Sequence, residues 1–168
     1  MNEDRIKLLQ KMPIFGGIRN DVLSVLLKYC NNVVVERGNF FFRENESAAT
    51  MFVIEKGKVA VLKAWQGHDY LLAYLKTGDC FGEMELIDLC ARSASVLAVE
   101  DCVAIEIPAT ALHYVYKEDP KQFAMMYMNM GREVSRRLRV ADEKLFQTRV
   151  EANLIEGRYV FENKDQQT

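Results

Sequence analysis

The period of the apolar residues changes twice along this chain, and that change constrains the fold more than any single motif. Over the first 30 residues the spacing is helical: Ile6, Leu8, Leu9 and Met12 share one face before Pro13, Gly16 and Gly17. Val22, Leu23, Leu26 and Leu27 share another after Asn20, a good N-cap residue. From Val33 the pattern becomes short runs rich in β-branched and aromatic residues: Val33–Arg37, Phe40–Arg43, Met51–Glu55, Lys58–Ala64, Tyr70–Leu75, Ala94–Val99 and Val103–Ile107. Turn residues separate them at Gly38-Asn39, Asn45–Ala49, Lys56-Gly57, Gln66–Asp69 and Glu100-Asp101, and Pro108 closes the series. From Ala109 the helical period returns.

Short strands in succession, none alternating with a long helix, predict an antiparallel β-roll or jelly roll and disfavour a doubly wound sheet. The expected fold is mainly β with flanking helices (α+β), carrying N-terminal helices and a long C-terminal helix. Asp119-Pro120 opens that last helix, from Lys121 to about Gln147. Along it Tyr127, Gly131, Val134, Leu138, Ala141 and Leu145 recur at intervals of 4, 3, 4, 3 and 4, a short heptad seam that packs on the sheet or on a twin. The adjacent run of Met125, Met126, Met128 and Met130 reads as core packing. The expected organisation is one domain over 1–147 and a polar tail over 148–168, with Glu162–Thr168 frayed.

Composition narrows the function classes. A chain of 168 residues that is 49% hydrophobic suits one ordinary core. Its formal net charge of -2 argues against a general basic nucleic-acid face. The arginines at 136, 137 and 139 read as a solvated helix face, and direct DNA binding is not expected. Cys30, Cys80, Cys90 and Cys102 form no C-x-x-C pair, and with no secretory h-region at the start they read as reduced thiols, so a cytoplasmic protein is expected. No apolar run approaches the roughly 20 residues that span a bilayer. His68 and His113, the only histidines, are too few for a metal site of the cupin type, and no phosphate loop, G-x-S-x-G elbow or G-x-G-x-x-G motif is present. No catalytic residue, metal or cofactor is therefore assigned, and the chain is not expected to be an enzyme.

The informative stretch runs from Gly78 to Val96. Between Lys76 and Lys117 the one Lys or Arg is Arg92, among Asp79, Glu83, Glu85, Asp88, Glu100, Asp101 and Glu106. A guanidinium in so acidic a segment has a particular partner. Spacing alone favours a structural ion pair, with Glu83 a candidate partner. The sharper alternative is that Arg92 and a short helix starting at Gly82 hold one phosphate, because a guanidinium matches phosphate oxygens with two parallel hydrogen bonds. Glu83 would then accept from a sugar hydroxyl, and Ser93 adds a hydroxyl and an N–H beside the arginine.

Phe81-Gly82-Glu83-x-x-Leu86-Ile87 followed by Arg92-Ser93-Ala94-Ser95-Val96 resembles the phosphate-binding cassette of cyclic nucleotide-binding domains. Asn45–Ile54 with Gly57-Lys58-Val59 resembles the family's early hairpin, and Pro13-Ile14-Phe15 its N-terminal approach, so the likeness runs from about Met12 to Leu145. The resemblance implies that Arg92 binds the cyclic phosphate, that Glu83 accepts from the ribose 2′-hydroxyl, and that Gly82, Met84 and Ser93 complete the cradle. The ligand would be a cyclic mononucleotide, cAMP or cGMP. Three features depart from the family pattern. Glu85 stands where a small residue is usual and adds a negative charge beside the phosphate. Cys90-Ala91 replaces the common residue-Pro before the arginine, and Asn45 and Ala48 stand at places often held by glycine.

The family's bacterial regulators carry a helix-turn-helix after the long helix, whereas about 20 residues follow Gln147 here. The expectation is a stand-alone sensor that repositions its C-terminal helix, forms a homodimer through Tyr127–Leu145 and acts on an unidentified downstream protein. Two rival readings are a ligand-free interaction scaffold, for which Glu85 speaks, and the sensor half of a truncated regulator, hinted at by the protease-site-like tetrapeptide Ile155-Glu156-Gly157-Arg158.

Overall fold

The computed structural model describes residues 2–47 and 49–152. Ala48, the tetrapeptide at 155–158 and the segment 162–168 lie outside the described residues. The chain forms two compact units, Met1–Val134 and Ser135–Thr168.

The first unit opens with helices α1 (Asn2–Gln10) and α2 (Asn20–Lys28), joined through a 3-10 turn at Pro13–Phe15. Asn20 is not the N-cap of α2. Arg19 holds that place, and the Asn20 carboxamide oxygen instead accepts a hydrogen bond from Gln10 Nε2. The expected strands all form, as β1 (Asn31–Val35), β2 (Phe40–Phe42), β3 (Thr50–Lys56), β4 (Lys58–Trp65), β5 (His68–Lys76), β7 (Ser95–Ala98) and β8 (Cys102–Pro108). The Cys80-Phe81 pair adds a two-residue strand, β6, and α3 (Met84–Asp88) follows it. Helices α4 (Ala109–Glu118) and α5 (Pro120–Glu151) complete the order.

All strand pairs are antiparallel, in two four-stranded sheets of order β1-β8-β3-β6 and β2-β7-β4-β5, the jelly roll expected. The first sheet is buried on both faces along its central strands, β3 and β8. Met51 and Val53 of β3, with Ile105 and Ile107 of β8, pack against Phe15, Leu23, Leu112 and Met126 from the helical layer. The alternate residues Phe52 and Ile54, with Cys102 and Ala104, meet Phe42, Val59, Phe81 and Val96 between the sheets. Burial on both faces explains why β3 reads as a continuous apolar run and not as an alternation. Each fully buried large side chain contributes about 1.5–3 kcal/mol, so both layers matter to stability.

Within the first unit α5 starts where Asp119 Oδ1 accepts from the backbone N–H groups of Lys121 and Gln122, at 3.0 and 3.1 Å. The methionine run divides by helical spacing: Met126 and Met130 are fully buried in the core, while Met128 faces out. Asn129 Nδ2 donates to the Ile14 and Gly16 carbonyls, and the Arg19 N–H donates to Gln122 Oε1, so α5 also satisfies the backbone of the 3-10 turn. In the second unit the helical residues from Ser135 onward are exposed, Leu138 and Leu145 among them. Among the described residues no two cysteines form a disulfide, and no helix is long and apolar enough to cross a membrane.

Candidate ligand-binding site

The site grows from the turn between β6 and α3. Phe81 is anchored between the sheets, in edge and stacked contact with Phe41 and Phe52. Gly82 follows at φ +79°, where an added Cβ would lie 2.5 Å from Arg92 Nη1 and 3.0 Å from the Thr50 carbonyl oxygen. Only glycine suits both demands. The same φ is incompatible with a right-handed helix, so α3 starts at Met84 with Glu83 as N-cap, not at Gly82. This start turns Glu85 and Leu86 inward and leaves Met84 and Ile87 exposed.

On the opposite side a second turn brings Arg92. Asn45 adopts φ 68°, the left-handed conformation that asparagine accepts in place of glycine. Its N–H donates to the Arg92 carbonyl, and the Arg92 N–H donates to the Glu46 carbonyl, both at 2.9 Å. The backbone of Arg92 is thereby fixed before its side chain is considered. Lys63 Nζ donates to the Ser93 carbonyl at 2.8 Å and also pairs with Glu44, tying the following residue to β4.

The guanidinium points into the protein. Nη1 donates to the Thr50 and Gly82 carbonyls at 2.8 and 3.2 Å, and Nη2 donates to Thr50 Oγ1 at 2.8 Å. Cζ lies 3.8 Å from the centroid of the Phe42 ring. Nε faces Glu85 Oε1 at 3.0 Å, and both side chains are buried. The ion-pair partner is therefore Glu85, not Glu83. Burial pushes the Arg92 guanidinium below its ordinary value, while the neighbouring carboxylates, Glu85 first, act in the opposite direction.

Gly82, Glu83, Met84, Arg92 and Ser93, the five residues singled out in the sequence, all line one open cavity of about 360 Å³, together with Glu85, Phe42, Val61, Ala94 and Val96. Ser93 Oγ lies 3.8 Å from Met84 Sδ, closing one side. Thr50 and Phe42 hold the arginine without any local signal in the sequence, because their contacts cross between strands. The far side of α3 is tied to α5, where the Tyr127 hydroxyl donates to the Leu86 carbonyl at 3.3 Å.

A jelly roll whose cavity is walled by a glycine turn, a short helix and one buried arginine defines a small-ligand-binding module. The chain belongs to the cyclic nucleotide-binding domain family, whose model matches residues 32–119. It is 31% identical over 105 residues to cGMP-dependent protein kinase 2 of Mus musculus, a match covering 61% of this chain and 14% of the kinase. It is 30% identical over 138 residues to the cyclic AMP receptor protein of Thermus thermophilus, covering 79% of this chain and 60% of the receptor. Among solved structures, a cyclic nucleotide-binding domain from Methylobacillus flagellatus superposes with a TM-score of 0.77 at 21% identity, covering 95% of this chain and 86% of that one. This last likeness is one of fold. The chain thus spans less than two thirds of the length of either curated relative.

Proposed function

We propose that this chain is a sensor module that binds a cyclic mononucleotide, cAMP or cGMP, and signals through α5 to a downstream protein, without catalysing a reaction. The observation that carries the reading is the convergence of Gly82, buried Glu83, buried Arg92 and Ser93 on one open cavity. Glu83 offers a carboxylate to a ribose hydroxyl, and Arg92 offers positive charge to the cyclic phosphate. The names of the relatives, a cyclic AMP receptor and a cGMP-dependent kinase, support the ligand class. The Tyr127–Leu86 hydrogen bond gives α5 a contact with the helix that walls the site, as a ligand-controlled output requires. A homodimer through Tyr127–Leu145 belongs to the same proposal.

Calorimetric titration of the full chain with cAMP, cGMP and a cyclic dinucleotide tests it. The expected result is saturable heat with cAMP or cGMP at one ligand per chain. No heat with either mononucleotide overturns the sensor reading in favour of a ligand-free interaction scaffold, for which the buried Glu85–Arg92 pair is the favouring observation.

A further inference from the structure

A guanidinium has five N–H donors arranged in two forks. In Arg92 the fork formed by Nη1 and Nη2 is taken by Thr50, through its carbonyl and Oγ1, and the other Nη1 hydrogen goes to the Gly82 carbonyl. What remains for an anion is the side fork of Nε and the second Nη2 hydrogen. The Glu85 carboxylate stands at that fork, 3.0 Å from Nε. The Nε contact is an ion pair without an aligned N–H···O hydrogen bond, so the fork is blocked by charge more than by directed bonding.

Resting on the cyclic-nucleotide reading above, we propose that Glu85 is an internal ligand of Arg92 that holds the anion place of the site and sets its selectivity. A cyclic phosphate enters only by displacing the Glu85 carboxylate from Nε, whereas an uncharged nucleoside of the same base leaves the pair intact. Charge supports the distinction. Arg92 with Glu83 and Glu85 leaves one net negative charge in the cavity wall, and a phosphate monoanion would add a second beside two buried carboxylates. Separating a buried carboxylate from its arginine is costly because neither group regains water in place. A neutral ribose instead brings hydroxyl donors, which Glu83 accepts while Glu85 stays on Arg92. Displacement also has a consequence beyond the cavity: Glu85 and Leu86 are neighbours on α3, and Leu86 carries the hydrogen bond from Tyr127. The movement that admits the phosphate is therefore made in the element that α5 contacts.

The test is calorimetric titration of the full-length wild type, Glu85→Gln and Glu85→Ala with cAMP and adenosine, and with cGMP and guanosine, after thermal melts establish that the variants fold. In both variants affinity for the cyclic nucleotide should rise about tenfold or more, while affinity for the nucleoside changes by less than about twofold. A purely structural role for Glu85 would shift both ligands together, and that result, or a fall in cyclic nucleotide affinity, overturns the inference. If the wild type binds a cyclic nucleotide and the nucleotide-to-nucleoside ratio is unchanged in the variants, this inference fails alone. If no form binds either ligand, the sensor reading fails with it.

Discussion

At the scale of the residue, the site depends on one backbone conformation. Gly82 combines φ +79° with two groups that a Cβ would strike, and the nearer of them, Arg92 Nη1, is itself bonded to Thr50 and to Gly82. Gly82→Ala therefore carries backbone strain of about 1–3 kcal/mol and also pushes the arginine from its seat. Gly78 is a useful contrast, with φ +90° but open space for 4 Å around the place a Cβ would take. Gly82→Ala and Gly78→Ala should both lower the melting temperature, by about 2–4 °C for each kcal/mol in a chain of this size. Gly82→Ala alone should abolish cyclic nucleotide binding, measured by calorimetry. Equal binding by the two variants would mean that the Gly82–Arg92 contact does not shape the site.

At the scale of the element, the link between site and output is one hydrogen bond. Tyr127 is half-buried, burial raises its phenol above the ordinary value, and the hydroxyl thus remains a donor to the Leu86 carbonyl at neutral pH. Tyr127→Phe removes that donor and keeps the ring that packs against Phe123. A stability loss of about 0.5–1.5 kcal/mol is expected, the net worth of one such bond. Hydrogen exchange should show ligand-dependent protection over residues 120–134 in the wild type and a weakened dependence in Tyr127→Phe. Identical profiles would remove Tyr127 from the signal.

The elements themselves are mostly legible in the sequence, because period and turn chemistry are local. The apolar period locates the strands, and Asp119-Pro120 marks the start of α5. The partner of Arg92 is not legible. Glu83 and Glu85 are both near it in sequence, and the choice is made by the φ of Gly82, which starts α3 at Met84 and turns Glu85 inward. Thr50 and Phe42 stay hidden for a related reason. Their approach to Arg92 depends on strand register, with Phe52 opposite Phe81 and Phe42 opposite Val96, and register is a property of the pair and not of either segment. Asn20 fails as a cap although its residue type suits one, because its side chain is engaged by Gln10.

At the scale of the whole molecule, the proposed homodimer contact falls on the part of α5 beyond Val134. In the second unit the helix exposes Leu138, Val140, Leu145, Phe146 and Val150, all between 48% and 58%. Local bonds such as Gln147 Nε2 to Glu143 Oε1 and Thr148 Oγ1 to the Lys144 carbonyl contribute little to so long a segment. Most helical stability in proteins comes from tertiary packing of an apolar face. Covering Leu138 and Leu145 on a second copy would contribute about 1.5–3 kcal/mol for each side chain fully buried, and their spacing with Gly131, Val134 and Ala141 suits a two-helix seam. The full chain is therefore expected to sediment as a dimer at micromolar concentration. The double substitution Leu138→Glu with Leu145→Glu should yield a monomer with an unchanged melting temperature for the β-roll and undiminished nucleotide binding. A wild-type chain that sediments as a monomer with and without nucleotide would assign this stripe to a different partner.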